Sequence, residues 1–219
     1  MFLLRLYLDV ETYRPRKEDA FVNEGMIAIG VIEDWTRYYP ESTGIKCGEN
    51  EAPGAGCVLR FFTIWGNNND EGELVRSFYK YLMGVRNQTN FIVVVGFNVL
   101  RYDIPLLIQK GFKYRVDSLG RLNALWHNTL VIDYLQATLL FNGMAFKDLN
   151  LKRMVKWARK AGLGVGELYG SGEDVVKWYE EKRYDDVIEH LGRDLEAVRV
   201  IDLNFRRFYT ALVKALKPQ

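Results

Sequence analysis

The sequence predicts an α/β fold, a mixed β-sheet flanked by helices on both faces, and three observations carry that expectation. Three strand-like segments, 2–9, 26–33 and 57–65, come before any helical pattern. Two more, 91–97 and 129–135, then alternate with helical stretches. The final stretch from Glu173 to Leu216 is predominantly helical. Three strands followed by αβαβαα is the order of a mixed sheet rather than of a sandwich or a bundle. The 219 residues suit a single domain, 1–219, with a hairpin insertion around 35–56.

Each element has a local reason. In "LYLDVET", at 6–12, an apolar strand ends on Asp9 and Glu11, two positions apart. On a continuing strand both side chains point to one face, where like charges repel unless a proton or a metal ion intervenes. The plainer alternative puts Glu11 in a turn, with both acids solvated. Segments 26–33 and 57–65 complete an antiparallel meander. Between them, Cys47 and Cys57 flank "GENEAPGAG". A pair of free thiols is the expectation in a reducing compartment, with a loop-closing disulfide as the alternative; no zinc site is expected. "EGELVRSFYKYLMGV" puts Leu74, Phe78, Tyr81 and Leu82 on one helical face, with the acids of "NDEGE" at its N-terminal end.

The strand "FIVVVG" leads into "FNVLRYDIPLL", where Gly96 admits close approach of a backbone or ligand. Asn98 and Asp103 stand at the start of a short helix, 103–110. Asp103 could equally be a capping carboxylate, with Pro105 in the first turn. The strand at 129–135 holds Asp133, either a further acid near the others or, the preferred reading, an ordinary strand-end residue. A helix over 148–160 sets Lys152, Lys156 and Arg159 or Lys160 on one side, either a solvated face or a phosphate track. The Gly-rich stretch 160–174 lacks the Lys-Ser/Thr ending of a phosphate loop and reads as a connector. In "VIEHLGRDLEAVRVI", Val187, Leu191, Leu195, Val198 and Ile201 form the apolar face, while His190 and Asp194 are one helical turn apart.

Composition narrows the function. Hydrophobic residues make up 48% and charged residues 26%, as in ordinary globular proteins. The longest apolar runs are far too short to cross a bilayer, and Arg5 and Asp9 interrupt any leader-like segment, so no membrane partner and a cytoplasmic location are expected. A net charge of +2 means that any nucleic-acid binding rests on local patches or metal ions. The scattered acids suggest the second. A strand-end pair, an acid after a later strand and an acid on a helix could gather around Mg²⁺ or Mn²⁺, hard cations that need oxygen ligands.

"DVE" at 9–11, "NVLRYD" at 98–103 and "HLGRD" at 190–194 resemble, in order, the three motifs of the DEDD superfamily of 3'-to-5' exonucleases. "VIDYL" and "FKDLNLKRMVKWA" resemble the strand and helix between the second and third motifs. The layout is most similar to the exonuclease domains of family B DNA polymerases, and a stand-alone domain is expected. The resemblance implies a ribonuclease H-like sheet and two Mg²⁺ or Mn²⁺ ions held by Asp9, Glu11, Asp103 and Asp194. It also implies His190 as the base that activates water. Thr12 and Asn98 would hydrogen-bond around the terminal nucleotide, and Tyr13, Leu100 or Tyr102 would pack against its base or sugar. The implied substrate is nucleic acid with a free 3' end, single-stranded DNA first. His190 stands four residues before Asp194, the spacing of the tyrosine branch, whereas the histidine branch has its base five before, where this chain has Glu189. Two other readings stay open: a binding or polymerase-accessory module that does no chemistry, and an endonuclease of the ribonuclease H type.

Overall fold

The computed structural model describes residues 3–16, 18, 20–35, 48–49, 56–89 and 91–216. Its sheet is built from β1 (Leu3–Tyr13), β2 (Gly25–Asp34), β3 (Gly48–Glu49), β4 (Cys57–Thr63), β5 (Phe91–Gly96) and β6 (Leu130–Asp133), in the order β3-β4-β2-β1-β5-β6. β1 pairs antiparallel with β2 and parallel with β5; β2 pairs antiparallel with β4, and β5 parallel with β6. Helices α1 (Glu71–Arg86), α2 (Asp103–Lys113) and α3 (Leu119–His127) cover one face. The other is covered by α4 (Tyr134–Thr138), α5 (Leu151–Lys160), α6 (Gly172–Glu180), α7 (Tyr184–Leu203) and α8 (Phe205–Leu216). The architecture is the ribonuclease H-like mixed sheet with helices on both sides.

Several local expectations need correction. β1 does not stop at Asp9 but runs to Tyr13, with a register shift between Glu11 and Thr12. Glu11 is therefore a strand residue and not part of a turn. In α1 the expected face holds, with Tyr81 packed beside Phe78 against the core, and Tyr79 is buried as well. The helix expected from 148 begins at Leu151, because the Asn150 side chain accepts from Arg153 N–H and caps it. Residues 134–135 belong to α4 rather than to a strand, since Asp133 caps that helix. Cys57 is disulfide-bonded, contrary to the free-thiol expectation; Cys47, the other cysteine of the chain, lies outside the described residues. Most of the insertion at 35–56 lies outside them too.

The period-two alternation of β1 decides what each face of the sheet becomes. Leu4, Leu6, Leu8 and Val10 are buried under α1 and α2. Burying such a side chain is worth about 1.5–3 kcal/mol, so this face anchors the fold. The alternate residues Arg5, Tyr7, Asp9 and Glu11 face α7, where His190, Asp194, Val198 and Asp202 recur every four positions on one helical side. Four helical residues rise about 6 Å and two strand residues about 6.6 Å, so the two series keep step. The contacts run antiparallel: Glu11 meets His190 at one end, and Arg5 and Tyr7 donate to Asp202 at the other. Gly30 lets α7 lie this close, because a Cβ there would stand 2.7 Å from Leu191 Cγ and Leu195 Cδ1.

Candidate active site

The first motif reaches the site on β1, the second on the loop after β5, and the third on α7. Gly96 ends β5 where a Cβ would come within 2.7 Å of Leu8 O and 2.2 Å of Val99 Cγ1, so only glycine lets the chain turn here beside β1. Asn98 then adopts φ +67°, left-handed backbone that Asn tolerates. Asp133 pins this turn: its carboxylate accepts from Asn98 N–H at 2.9 Å, Leu100 N–H at 3.1 Å and Leu135 N–H at 2.9 Å. The strand-end reading of Asp133 thus understates it, since it fixes the loop that delivers Asp103. Asp103 opens α2 and is only 3% exposed.

On the α7 side, His190 Nε2 stands 3.2 Å from Glu11 Oε1 and 3.8 Å from Asp194 Oδ2. Its Nδ1 meets the carbonyl of Tyr169, which fixes the ring orientation and leaves Nε2 toward the acids. That carbonyl comes from the Gly-rich connector, which the sequence did not mark as part of the site.

The titration of these groups records their crowding. Burial, then repulsion from Glu11, Asp103 and Asp194, holds the Asp9 carboxyl well above the usual range. Burial pushes Asp103 up to about 8, with its own and Val10's backbone N–H opposing and Glu11 reinforcing the rise. Burial likewise lifts Asp194 to about 7, against the pull of His190. Burial alone would lower His190, yet its hydrogen bond and charge interaction with Glu11, joined by Asp194, raise it to about 10. Without a bound cation, His190 is itself the positive charge among the acids.

Divalent ions fit the donor set. Asp103 Oδ1, Asp194 Oδ1 and Asn98 Oδ1 are buried with no hydrogen-bond partner. Such orphaned hard oxygens suit Mg²⁺ or Mn²⁺. Among the described residues no three His, Cys, Asp or Glu side chains are already arranged around one point for an ion, so binding would draw the acids together; Glu11 meets His190 through one carboxylate oxygen, Oε1.

A cleft of about 820 Å³ opens beside the acids, lined among others by Glu11, Thr12, Arg14, Asn98, Tyr102 and Ser171. Of the nucleotide-contact candidates, Thr12, Asn98 and Tyr102 line it. Leu100 is 40% exposed. Tyr13 instead packs on Tyr179, with ring centroids 5.2 Å apart, and its hydroxyl donates to Glu180 Oε1 at 2.9 Å. Thr12 Oγ1 donates to Glu24 Oε1 at 2.7 Å, and the Tyr102 hydroxyl donates to the same oxygen. Sequence reasoning missed Glu24, because its partners lie 12 and 78 positions away and no short-range pattern joins them.

No protein-family model matches this chain, and no curated protein matches it by sequence. Among solved structures it is similar to the family B DNA polymerase from the hyperthermophilic archaeon Pyrobaculum calidifontis, with a TM-score of 0.60 and 15% identity. That match covers 98% of this chain but 26% of the polymerase, so this chain spans about a quarter of that protein's length. A weaker likeness, with a TM-score of 0.49 and 11% identity, is to the zinc-ion-bound form of the E. coli ExoI–ssDNA complex; it covers 98% of this chain and 43% of that one. At this identity the polymerase match speaks for the fold alone.

Proposed function

We propose that this protein is a metal-dependent 3'-to-5' exonuclease that hydrolyses the terminal phosphodiester of nucleic acid, with single-stranded DNA as the leading substrate. The observation that carries the reading is the gathering of Asp9, Glu11, Asp103 and Asp194, with orphaned oxygens on Asp103 and Asp194, at the edge of an open cleft. In this reading Asp9, Glu11, Asp103 and Asp194 would hold two Mg²⁺ or Mn²⁺ ions. When bound, such ions activate water and stabilise the charge that develops on the departing 3' oxygen.

The chain's own residues supply the rest. His190 accepts a proton from the attacking water at Nε2, since Nδ1 is committed to the Tyr169 carbonyl. To accept, the ring must be neutral, so the positive charge that it carries among the acids has to be supplied by something else. Thr12 and Asn98 hydrogen-bond around the terminal nucleotide, with Tyr102 and Leu100 against its base or sugar. Tyr13 is engaged with Tyr179 and Glu180 and takes no part in base stacking in this reading.

Labelled single-stranded DNA and RNA, incubated with the protein in Mn²⁺, Mg²⁺ or EDTA, test the proposal. Stepwise shortening from the 3' end that EDTA abolishes is the expected result. Tight binding with the substrate left intact would instead support a binding module of the same fold, a reading favoured by the His190–Glu11 contact that occupies a would-be ligand. Cutting of a circular strand would point to an endonuclease.

A further inference from the structure

A ribbon of positive charge leads away from the acid cluster. It begins at α5, where Leu151 lines a small cavity together with Asp9 and Asp194. The next residue, Lys152, is the first of four cations on one side of that helix, with Lys156, Arg159 and Lys160. They border a groove of about 630 Å³ floored by Val155 and Leu168. Ala161, directly after Lys160, lines a second groove of about 440 Å³ whose cations, Arg206, Arg207 and Lys214, come from α8. All seven are exposed. The acid among them is Glu167, 3.6 Å from Arg159. Among the described residues Lys152, Lys156, Lys160, Arg206, Arg207 and Lys214 form no salt bridge.

The placement is unusual for a chain whose 30 basic and 28 acidic residues nearly cancel. A solvated face in such a chain mixes the signs, as the paired surface of α6 and α7 does with Lys177–Glu181, Arg183–Asp186 and Arg193–Glu189. The α5–α8 ribbon leaves its cations uncompensated, which costs self-repulsion unless an anionic polymer covers them. The span from Lys152 to Lys160 along α5 is about 12 Å, the axial length of three or four phosphates on one strand of B-form DNA.

We propose that the α5–α8 ribbon binds the sugar–phosphate backbone of a polynucleotide whose end lies in the cleft, holding the part of the strand that has not yet reached the acids. This rests on the nuclease reading for what occupies the cleft. It concerns a surface distinct from the one that cuts. Contacts to phosphate carry no sequence information, so the ribbon gives length-dependent affinity without base preference.

The test compares wild type with K152E/K156E/K160E on 5'-labelled DNA of 20 and 4 nucleotides. Anisotropy titrations in EDTA over a range of KCl give affinity, and Mn²⁺-supported assays give hydrolysis. We expect the triple variant to bind the 20-mer at least about tenfold more weakly, with a salt slope smaller by about 2, since each lost phosphate contact removes about 0.7. Tetranucleotide hydrolysis should change less than about twofold. A K152Q/K156Q/K160Q variant should lie between the two if charge is responsible. Unchanged 20-mer affinity and salt slope in the triple variant, or no binding of the 20-mer by wild type, overturns the ribbon. Wild type that binds the 20-mer through the ribbon but hydrolyses neither substrate keeps this inference and removes the nuclease reading. Hydrolysis of both, with charge reversal without effect, does the opposite.

Discussion

The seam between β1 and α7 holds two carboxylate clusters of opposite character. At the inner end, Asp202 accepts from Arg5, Tyr7 and Tyr134, the last at 2.8 Å, and Arg199 pairs with Asp34 at 2.8 Å nearby. Charge there is matched by charge, and the groups are almost wholly buried. At the outer end, four acids share one histidine, which contacts Glu11 and Asp194, and two of the four keep an unpaired oxygen. The same strand and the same helix contribute to both in one register, with Asp103 joining the outer cluster from α2 and Asp34 and Tyr134 joining the inner one from β2 and α4. A buried carboxylate with its counter-charge in place is architecture, whereas acids gathered beyond the available positive charge store repulsion that a cation can relieve.

Substitutions at the two ends should therefore separate activity from stability. The largest effect is expected for Asp9→Ala: hydrolysis falls to background, while the metal-free melting temperature stays level or rises because one repelling carboxylate has gone. Normal turnover would remove Asp9 from the mechanism. His190→Ala should slow Mn²⁺-supported hydrolysis by about 10² to 10⁴, the range for a general base. An unchanged rate with an unchanged pH profile would assign water activation to the ions alone.

At the inner end, Asp202→Ala should cost about 3–5 kcal/mol in urea unfolding by stranding Arg5, with activity per folded molecule kept. Equal losses of activity and stability would erase the distinction between the clusters. Gly96→Ala should cost about 1–3 kcal/mol by crowding Val99 and Leu8 O, and should slow hydrolysis by shifting the Asn98 turn.

The outer cluster also predicts a pH dependence. Burial lifts Asp103 to about 8 and Asp194 to about 7 in the folded chain, against about 3.9 for an unfolded aspartate. The folded protein thus holds more protons between those values, and its stability is greatest below about pH 4 as far as these two groups are concerned. That contribution is lost as pH rises through about 8. In EDTA the urea midpoint should fall from pH 5 to pH 8, and Asp103→Asn should flatten the fall.

Much of this was readable beforehand where short-range periodicity carried it. The alternation in "LLRLYLDVE" and the i, i+4 recurrence through Val187, Leu191, Leu195 and Val198 gave β1 and α7, and so put both sides of the acid cluster on recognisable elements. α3 escaped because it is short and carries Gly120 near its start, although Ser118 caps it and Leu122 and Trp126 are buried. α4 was hidden by the β-forming residues of "VIDYL" around its cap, Asp133. Glu24, Asp202 and the Tyr169 carbonyl act only through partners distant in sequence, so no local pattern announces them. The extent of β1 past Asp9 was decided by pairing with β2, which carries Glu11 and Thr12 on as strand.

Anomalous scattering from crystals soaked in Mn²⁺ tests the central claim most directly. The account predicts manganese peaks among Asp9, Glu11, Asp103 and Asp194, with His190 Nε2 released from Glu11. Manganese bound elsewhere, with these acids still apart and the His190–Glu11 contact intact, would contradict it.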